Sequence, residues 1–224
     1  MDISKIKDGK GAVTFLDVLG WKGIWERNEF AIIKLQSFVC EMQKKAQEIS
    51  DKYMDNPSLR GKSNPTEVLS ISDTIAIFTS ASPQVAIGIH AELCSWALSY
   101  SLEQELPLRG AISYGKYSIA DNIMLGYAVD EAASWHETTD WIGVVLTPSA
   151  KMYLRNNLPE FIIEYSNIPF KKSMKTLNLC VKWSFVDDNK LYDIIQKKGP
   201  HVPEIAPKYL NTLDFLQSRN KSQG

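Results

Sequence analysis

Apolar runs separated by turn-forming residues divide the chain into short strands and longer helices. Residues 11–19 form an apolar run rich in β-branched and aromatic side chains, which predicts a buried strand ending near Asp17. Between residues 30 and 49, apolar side chains recur about every 3.5 positions, which predicts a long amphipathic helix. Two apolar runs, residues 68–71 and 75–78, flank Ser72-Asp73-Thr74 and predict a tight hairpin with an acid at its turn.

The rest of the chain alternates in the same way. Ser82-Pro83 is typical of a helix start, because proline is favoured at the first helical position. The order of elements predicts an α+β or α/β sandwich with a mixed sheet. Further strands are predicted at residues 108–114 (extended by or paired with 115–120), 142–146, 161–165 and 177–185, and helices at 126–135, from Thr147-Pro148 to about Asn156, and in the tail from Asp187.

Composition narrows the class of protein. Hydrophobic residues make up 44% and charged residues 23%, which excludes disordered, collagen-like and coiled-coil chains. The net charge of -1 argues against a dedicated nucleic-acid-binding protein, which usually carries a basic excess. The three cysteines are too far apart for a disulfide framework, and this favours a reducing cytoplasm. No apolar run reaches the ~18 residues of a membrane span, and the polar N-terminus lacks the apolar core of a signal peptide.

Several familiar catalytic signatures are absent from the sequence. The chain has no Walker-type phosphate loop, no G-x-G-x-x-G, no cysteine pair at zinc spacing and no nucleophile elbow. His136-Glu137 matches only the first half of a zinc-protease motif, and the second histidine is missing. These absences leave acidic residues as the best candidates for chemistry.

Two aspartates stand out because each interrupts apolar sequence. Asp17 closes the first predicted strand, and Asp73 lies at the turn of the predicted hairpin. A buried unpaired carboxylate is costly, so each needs a cation, hydrogen bonds or an exposed strand end. Two such acids at strand ends can converge on Mg²⁺ or Mn²⁺, which prefer carboxylate oxygens and substrate phosphates. For one aspartate alone a cap or turn role would be favoured, whereas the matching contexts of both favour a metal site.

A glycine-containing segment follows Asp17. Gly20 and Gly23 lead toward the next helix, and free N–H groups at such a helix start bind phosphate. Lys22 between them could add a positive charge. An ordinary strand-to-helix turn is the alternative, and the segment taken alone favours it.

Four motifs, in order along the chain, resemble those of class III nucleotidyl cyclases. They correspond to the first metal motif F-x-D-I-x-G-F, the second metal motif, the strand R-x-G-I-x-x-G and the helix G-x-x-V-N-x-A-x-R. The resemblance covers roughly residues 12 to 185, with Ser72 in place of the usual glycine of the second motif. The matching segments are Phe15-Leu16-Asp17-Val18-Leu19-Gly20-Trp21, Ser70-Ile71-Ser72-Asp73-Thr74, Leu108-Arg109-Gly110-Ala111-Ile112-Ser113-Tyr114-Gly115 and Gly126-Tyr127-Ala128-Val129-Asp130-Glu131-Ala132-Ala133-Ser134.

The departures from the family pattern concern the substrate. Asp130 and Ser134 stand where the cyclases carry the asparagine and arginine that steady the transition state. Leu69 and Ile123 stand at the two positions that read a purine base, and neither can form the hydrogen bonds that such reading needs. A purine cyclase is therefore disfavoured, and the chain looks most like the Pycsar pyrimidine cyclases, which are bacterial anti-phage enzymes.

This resemblance implies a fold and a domain organisation. It implies an α+β, ferredoxin-like class III cyclase fold with a mixed or antiparallel sheet flanked by helices. Residues 1–186 would form the catalytic domain and residues 187–224 a C-terminal helical tail. It also implies a cytoplasmic homodimer with composite sites at its interface, a separate effector protein that reads the product, and no nucleic-acid or membrane partner.

The resemblance also implies the roles of single residues. Asp17, Asp73 and the carbonyl of Val18 would hold two Mg²⁺ or Mn²⁺ ions. Arg109, Lys22 and Lys172 would contact the triphosphate, although Arg109 could equally be a surface arginine at a strand end. The cluster of Lys171, Lys172 and Lys175 could be only a solvated surface. The general base stays open between Asp17, a metal-bound hydroxide and the substrate phosphate.

Three functional readings follow. The first is conversion of UTP to 3′,5′-cyclic UMP and pyrophosphate, or the same reaction on CTP. The second is a nucleotide-sensing domain on the same fold that does not catalyse, which the loss of the asparagine and arginine favours. The third is a structural or interaction protein in which both aspartates are turn residues.

Overall fold

The computed structural model describes residues 6–21, 29–55, 66–121, 123–172, 177–185, 188–197 and 202–220. The strands are β1 (Lys7–Val18), β2 (Glu67–Ile71), β3 (Thr74–Ser80), β4 (Leu108–Ala120), β5 (Ile123–Leu125), β6 (Gly143–Leu146), β7 (Ile162–Glu164) and β8 (Leu179–Val181). The helices are α1 (Ala31–Asp55), α2 (Pro83–Glu103), α3 (Tyr127–Trp135), α4 (Pro148–Leu154), α5 (Asp188–Lys197) and α6 (Ala206–Asn220).

A single mixed sheet organises these elements. Its strands follow the order β2-β3-β1-β4-β6-β8-β7, and β5 pairs with β4 outside this path. Strand β1 lies antiparallel between β3 and β4, whereas β6 runs parallel to β4. The predicted fold class, an α+β fold with a mixed sheet flanked by helices, is confirmed.

The two faces of β1 contribute to different hydrophobic clusters. Successive side chains of a strand point to opposite faces, so the alternate residues of β1 separate cleanly. Leu16 and Val18 belong to the main core with α1 and α2. Val13 and Phe15 belong to a smaller cluster that includes α3. For this reason the C-terminal half of β1 is buried on both faces, which explains its nearly continuous run of apolar residues.

The sequence pattern located most elements and missed a few boundaries. The tight hairpin is confirmed, since Ile71 pairs with Thr74 across a two-residue turn. Strand β4 continues through the predicted extension to Ala120. The pattern did not predict the three-residue strand β5. Within the segment 177–185, which was predicted as one strand, only β8 is a strand.

The predicted C-terminal tail contains α5 and α6. Phe215 of α6 is fully buried in the main core, and its ring centroid lies 4.9 Å from that of Trp141. Trp141 and Trp183 are also buried core residues. The domain boundary at residue 186 stays a prediction. None of the helices in the described part of the chain combines the length and the apolar character needed to cross a membrane.

Candidate functional site

Asp17 lies near the C-terminal end of β1, directly across from Arg109 on β4. By strand alternation its side chain is on the same face as Phe15, the face that α3 partly covers. The Arg109 Nε donates to Asp17 Oδ2 at 2.9 Å, and Nη2 lies 2.8 Å from the same oxygen. Both residues are only 7% exposed. Asp17 is therefore a buried carboxylate with a buried cationic partner, which is how proteins tolerate such a charge.

Arg109 is also held from the segment that connects α3 to β6. Its Nη1 donates to the carbonyl oxygen of Thr139 at 3.2 Å, and its Nη2 lies 3.8 Å from Glu137 Oε2. The Glu137 side chain is 59% exposed, so this second carboxylate is at the solvent boundary. The guanidinium thus joins the end of β1 to the loop after α3.

Asp73 lies in the two-residue turn between β2 and β3. The Val18 N–H donates to the carbonyl oxygen of Asp73 at 3.2 Å, which ties this turn to the end of β1. The residue before it, Ser72, has φ of 58°, a left-handed conformation that favours glycine. Asp73 is half-buried. The structure therefore brings together the backbone around Asp17, Val18 and Asp73, the three positions for which the sequence predicted metal ligation.

These residues offer a donor set that suits a hard divalent cation. Carboxylate and carbonyl oxygens are the ligands that Mg²⁺ and Mn²⁺ prefer. One oxygen of Asp17 is engaged by Arg109, but an ionised carboxylate has about four lone-pair positions and can accept more than one partner. Within the described ranges no group of three or more His, Cys, Asp or Glu gathers to hold a metal. An ion at this site would thus complete its coordination with backbone carbonyls, water or substrate oxygens.

The lysines predicted to contact substrate occupy different positions. Lys22 lies outside the described residues. Lys172 is described and exposed. Its neighbour Lys171 is exposed as well. The Lys171 backbone N–H donates to the carbonyl oxygen of Thr138 at 3.0 Å, and Phe170 forms a β-bridge with Thr139. Burial and the nearby charge of Arg109 lower the pKa of the Lys171 ammonium below its usual range. The sequence analysis named Lys172 as a phosphate contact, and that role stays a prediction.

Helix α3 presents Asp130 and Ser134 on its exposed face. The hydroxyl of Ser134 donates to the carbonyl oxygen of Asp130, one turn earlier, at 2.7 Å. These are the positions at which class III cyclases carry the asparagine and the arginine. Neither side chain can supply a fixed positive charge.

The two positions compared with purine-reading residues do not share one face of the sheet. Leu69 packs against the smaller cluster on the α3 side, as does Met124 of β5. Ile123 precedes Met124 in the same strand, so it is on the opposite face, and it is 57% exposed. Neither Leu69 nor Ile123 offers a hydrogen-bonding side chain to a base.

Taken together, one end of the sheet carries two aspartates, Asp17 and Asp73, and the cationic side chain of Arg109. Carboxylates bind divalent cations, and a guanidinium recognises phosphate oxygens through its planar array of donors. These are the types of side chain that recognition of a metal–polyphosphate complex requires.

Comparisons with known proteins agree with this geometry at the level of the fold. No protein-family model matches the sequence, and no curated protein is similar to it. The structure is similar to the adenylyl cyclase CyaB from P. aeruginosa, with a TM-score of 0.53, 15% identity, and coverage of 81% of this chain and 98% of that chain. It is also similar to the catalytic core of a rhodopsin-guanylyl cyclase with converted specificity in complex with ATPalphaS (TM-score 0.50, 11% identity, 80% and 98% coverage). The chain therefore has the fold of class III nucleotidyl cyclases.

Proposed function

We propose that this protein is a nucleotidyl cyclase that converts a pyrimidine nucleoside triphosphate into its 3′,5′-cyclic monophosphate and pyrophosphate. The observation that carries the proposal is the buried Asp17–Arg109 pair beside the Asp73 turn, in a fold like that of solved cyclases. A carboxylate pair for divalent cations next to an arginine for phosphates is the equipment that phosphoryl transfer needs.

Each residue has a role in this reaction. Asp17, Asp73 and the Val18 carbonyl would hold Mg²⁺ or Mn²⁺, with two ions per site. When bound, such ions neutralise the triphosphate and acidify the ribose hydroxyl. The 3′-hydroxyl gives its proton to one of the three candidate bases named from the sequence, and its oxygen forms a bond to the α-phosphorus. The bond from that phosphorus to the bridging oxygen breaks, and pyrophosphate leaves with the electron pair. Arg109 and Lys171 would stabilise negative charge on the leaving group. Lys22 and Lys172 remain further candidates for phosphate contact.

The substrate proposed first is UTP, with CTP as the alternative. Leu69 and Ile123 lack the polar groups that distinguish a purine. The resemblance to the Pycsar cyclases points in the same direction. It also motivates the wider proposal that the product acts in the bacterial cytoplasm as an anti-phage signal and is read by a separate effector protein.

A second copy of the chain is the proposed partner. The exposed face of α3 carries Asp130 and Ser134, at the positions where the resemblance to class III cyclases places the asparagine and arginine that steady the transition state. Tyr127, at the start of the same helix, is 85% exposed, which is unusual for a large aromatic side chain. A homodimer would cover this face and form composite sites between the two copies.

The direct test is to incubate the purified protein with each of the four ribonucleoside triphosphates and Mn²⁺ and to identify products by mass. We expect a cyclic pyrimidine monophosphate from the wild type and none from Asp17→Asn or Asp73→Asn. Asp121→Asn is the matched control, because Asp121 is an exposed aspartate in the turn between β4 and β5. A cyclic purine monophosphate as the product would support the cyclisation reaction and contradict the proposed preference for a pyrimidine base.

A nucleotide-sensing domain that does not catalyse is the second candidate function. Two observations favour it: Arg109 already neutralises Asp17, and α3 lacks the arginine of the cyclases. In this case a triphosphate with Mn²⁺ would raise the Tm of the protein without any product. Turnover that is lost in the aspartate variants and kept in Asp121→Asn would exclude this candidate.

A further inference from the structure

The C-terminal helix α6 contacts, through hydrogen bonds and aromatic packing, the segment that holds Arg109. We propose that α6 is a positioning element for the Arg109 guanidinium and thereby sets the affinity of the site for the triphosphate, an inference that rests on the proposed function. The tail would then be part of the working site through one loop, in addition to its place in the core.

Two hydrogen bonds join α6 to this loop immediately after Thr139. Asn211 Nδ2 donates to the carbonyl oxygen of Asp140 at 2.8 Å. The Ile142 N–H donates to Thr212 Oγ1 at 2.8 Å. The side chain of Thr212 is fully buried, so loss of this acceptor would leave the Ile142 N–H without compensation by water.

Aromatic packing adds a third connection between the helix and the loop. Trp141 lies between the two hydrogen-bonded residues, and its ring meets Phe215 of α6 edge to face at 4.9 Å. Both rings are fully buried. Interiors are closely packed and rigid, so a shift of α6 at this point is transmitted to the loop rather than absorbed.

The opposite side of the loop is also fixed. The Asp140 N–H donates to the Pro169 carbonyl at 2.9 Å, and the Lys171 N–H donates to the Thr138 carbonyl at 3.0 Å. Thr139 therefore lies in a strip of backbone held by α6 on one side and by residues 169–171 on the other. Its carbonyl oxygen, which accepts from Arg109 Nη1, has its position set by these contacts.

The position of this carbonyl matters because Arg109 has several partners. The guanidinium contacts Asp17, Thr139 and, at a longer distance, Glu137. A bound triphosphate would have to compete with these partners for the same N–H donors. Holding one donor on a fixed carbonyl orients the others toward Asp17 and the substrate, and such preorganisation lowers the cost of binding.

The test compares Thr212→Val with Thr212→Ser. Valine keeps the shape and removes the acceptor for Ile142, whereas serine keeps the hydroxyl. We expect Thr212→Val to raise KM for the triphosphate about fivefold while kcat changes less than about twofold, the size of effect expected for one lost hydrogen bond. Thr212→Ser should keep the wild-type KM. Asn211→Leu removes the second connection and replaces Thr212→Val if that variant does not fold.

A spectroscopic readout separates positioning from catalysis. The ¹⁵N resonance of the Arg109 Nε–H, assigned by its absence in Arg109→Lys, reports the hydrogen bond to Asp17. We expect this resonance to shift or broaden in Thr212→Val and to stay in place in Thr212→Ser. Leu216→Ala is the stability control, because it removes buried apolar contact from α6 and keeps both hydrogen bonds to the loop.

Two results would overturn the inference. One is a wild-type resonance and KM in Thr212→Val. The other is the same change in Leu216→Ala at an equal loss of stability, since this would reduce the effect to general destabilisation. If the wild type converts no triphosphate, the proposed function fails, and the Arg109 resonance alone still decides whether α6 positions the guanidinium.

Discussion

Strand β1 carries two buried polar side chains three residues apart, and they lie on opposite faces of the sheet. Thr14 faces the main core and hydrogen-bonds to His90 of α2, with 2.7 Å between Thr14 Oγ1 and His90 Nδ1. Asp17 faces the other side and pairs with Arg109. Both groups have partners, but the first set is neutral and the second is charged.

The group around His90 is closed within the fold. His90 Nε2 lies 3.0 Å from the Thr79 hydroxyl, which lies 2.7 Å from that of Thr66, and Thr66 is 2.7 Å from Ser50 Oγ. Burial lowers the pKa of His90 to about 3, so the ring is neutral at physiological pH. These polar side chains satisfy one another and join α1, α2 and the sheet. They need no ligand to complete them.

The group around Asp17 is different because it lies at the end of the sheet and continues to the surface. Arg109 extends it to Glu137, which is mostly exposed, and Lys171 is close enough to be affected by the Arg109 charge. A buried ion pair is costly to desolvate, and this one contributes little stability that an apolar pair could not replace. The comparison teaches that a satisfied neutral network is structural, whereas a charged pair open at one end is a candidate for binding.

The largest expected effect comes from removing the charge of Asp17. Asp17→Asn should lower the free energy of unfolding by about 3 kcal/mol, because it leaves Arg109 buried without its main partner. Asp73→Asn should lower it by less than about 1 kcal/mol, because Asp73 is half-buried in a turn. Urea denaturation measures both. Cyclase activity should be lost in both variants. The two residues should therefore differ in their effect on stability but not in their effect on activity.

Equal destabilisation by the two substitutions would contradict this comparison. Asp17→Asn with Arg109→Leu provides a double-mutant cycle. If the pair is the cause, the double variant should recover part of the stability lost in Asp17→Asn, since no unpaired buried charge remains.

The fold and the positions of Asp17 and Asp73 at the ends of strands could be predicted from the sequence for identifiable reasons. Asp17 interrupts an apolar run, and Asp73 lies in a two-residue hairpin turn, and both features are local. The pairing of Asp17 with Arg109 spans 92 positions in the chain, and only the register of β1 against β4 brings the two together. The sequence motif suggested a substrate contact for Arg109, and that role stays a prediction.

The parts that sequence reasoning missed depend on tertiary contacts. Lys171 and Lys172 are adjacent and chemically identical, and only the tertiary structure sets them apart, because burial and the charge of Arg109 lower the pKa of the Lys171 ammonium. Likewise, the anchoring of Thr139 depends on Asn211 and Thr212, which lie about 70 residues away on α6. No local pattern marks these residues as part of a site.

The next largest effect is the dependence of stability on pH through His90. In the unfolded chain His90 takes up a proton near pH 6.5, whereas in the folded protein its pKa is about 3. Stability from this group is therefore full above pH 6.5 and is lost as the pH falls toward 3. Between pH 7.5 and pH 5 we expect the free energy of unfolding to fall by about 2 kcal/mol on its account.

His90→Gln tests this assignment, because glutamine keeps hydrogen-bonding groups and does not titrate. Urea denaturation of both proteins at pH 7.5 and pH 5 should show that the variant lacks this share of the loss. If His90→Gln loses as much unfolding free energy between pH 7.5 and pH 5 as the wild type, the loss is caused by other titratable groups.

A smaller effect distinguishes the two adjacent lysines. Lys171→Ala should raise KM for the triphosphate about fivefold, because the charge of Arg109 acts on the Lys171 ammonium and a phosphate bound by both cations would relieve their repulsion. Lys172→Ala should change KM by less than about twofold. The difference should shrink as salt is added, since the screening length is then short. The reverse order of the two variants would favour Lys172 as the phosphate contact.

The smallest effect concerns Thr139, whose hydroxyl is buried and has no hydrogen-bond partner among the described residues. Thr139→Val keeps the shape and removes this unsatisfied group, so the free energy of unfolding should rise by about 0.5–1 kcal/mol. The carbonyl that holds Arg109 is unchanged, so activity should stay at the wild-type level. Thr212→Val is the same substitution at a satisfied hydroxyl, and there stability should fall. A loss of stability in Thr139→Val would show that its hydroxyl contributes to the fold, and the contrast between the two threonines would then disappear.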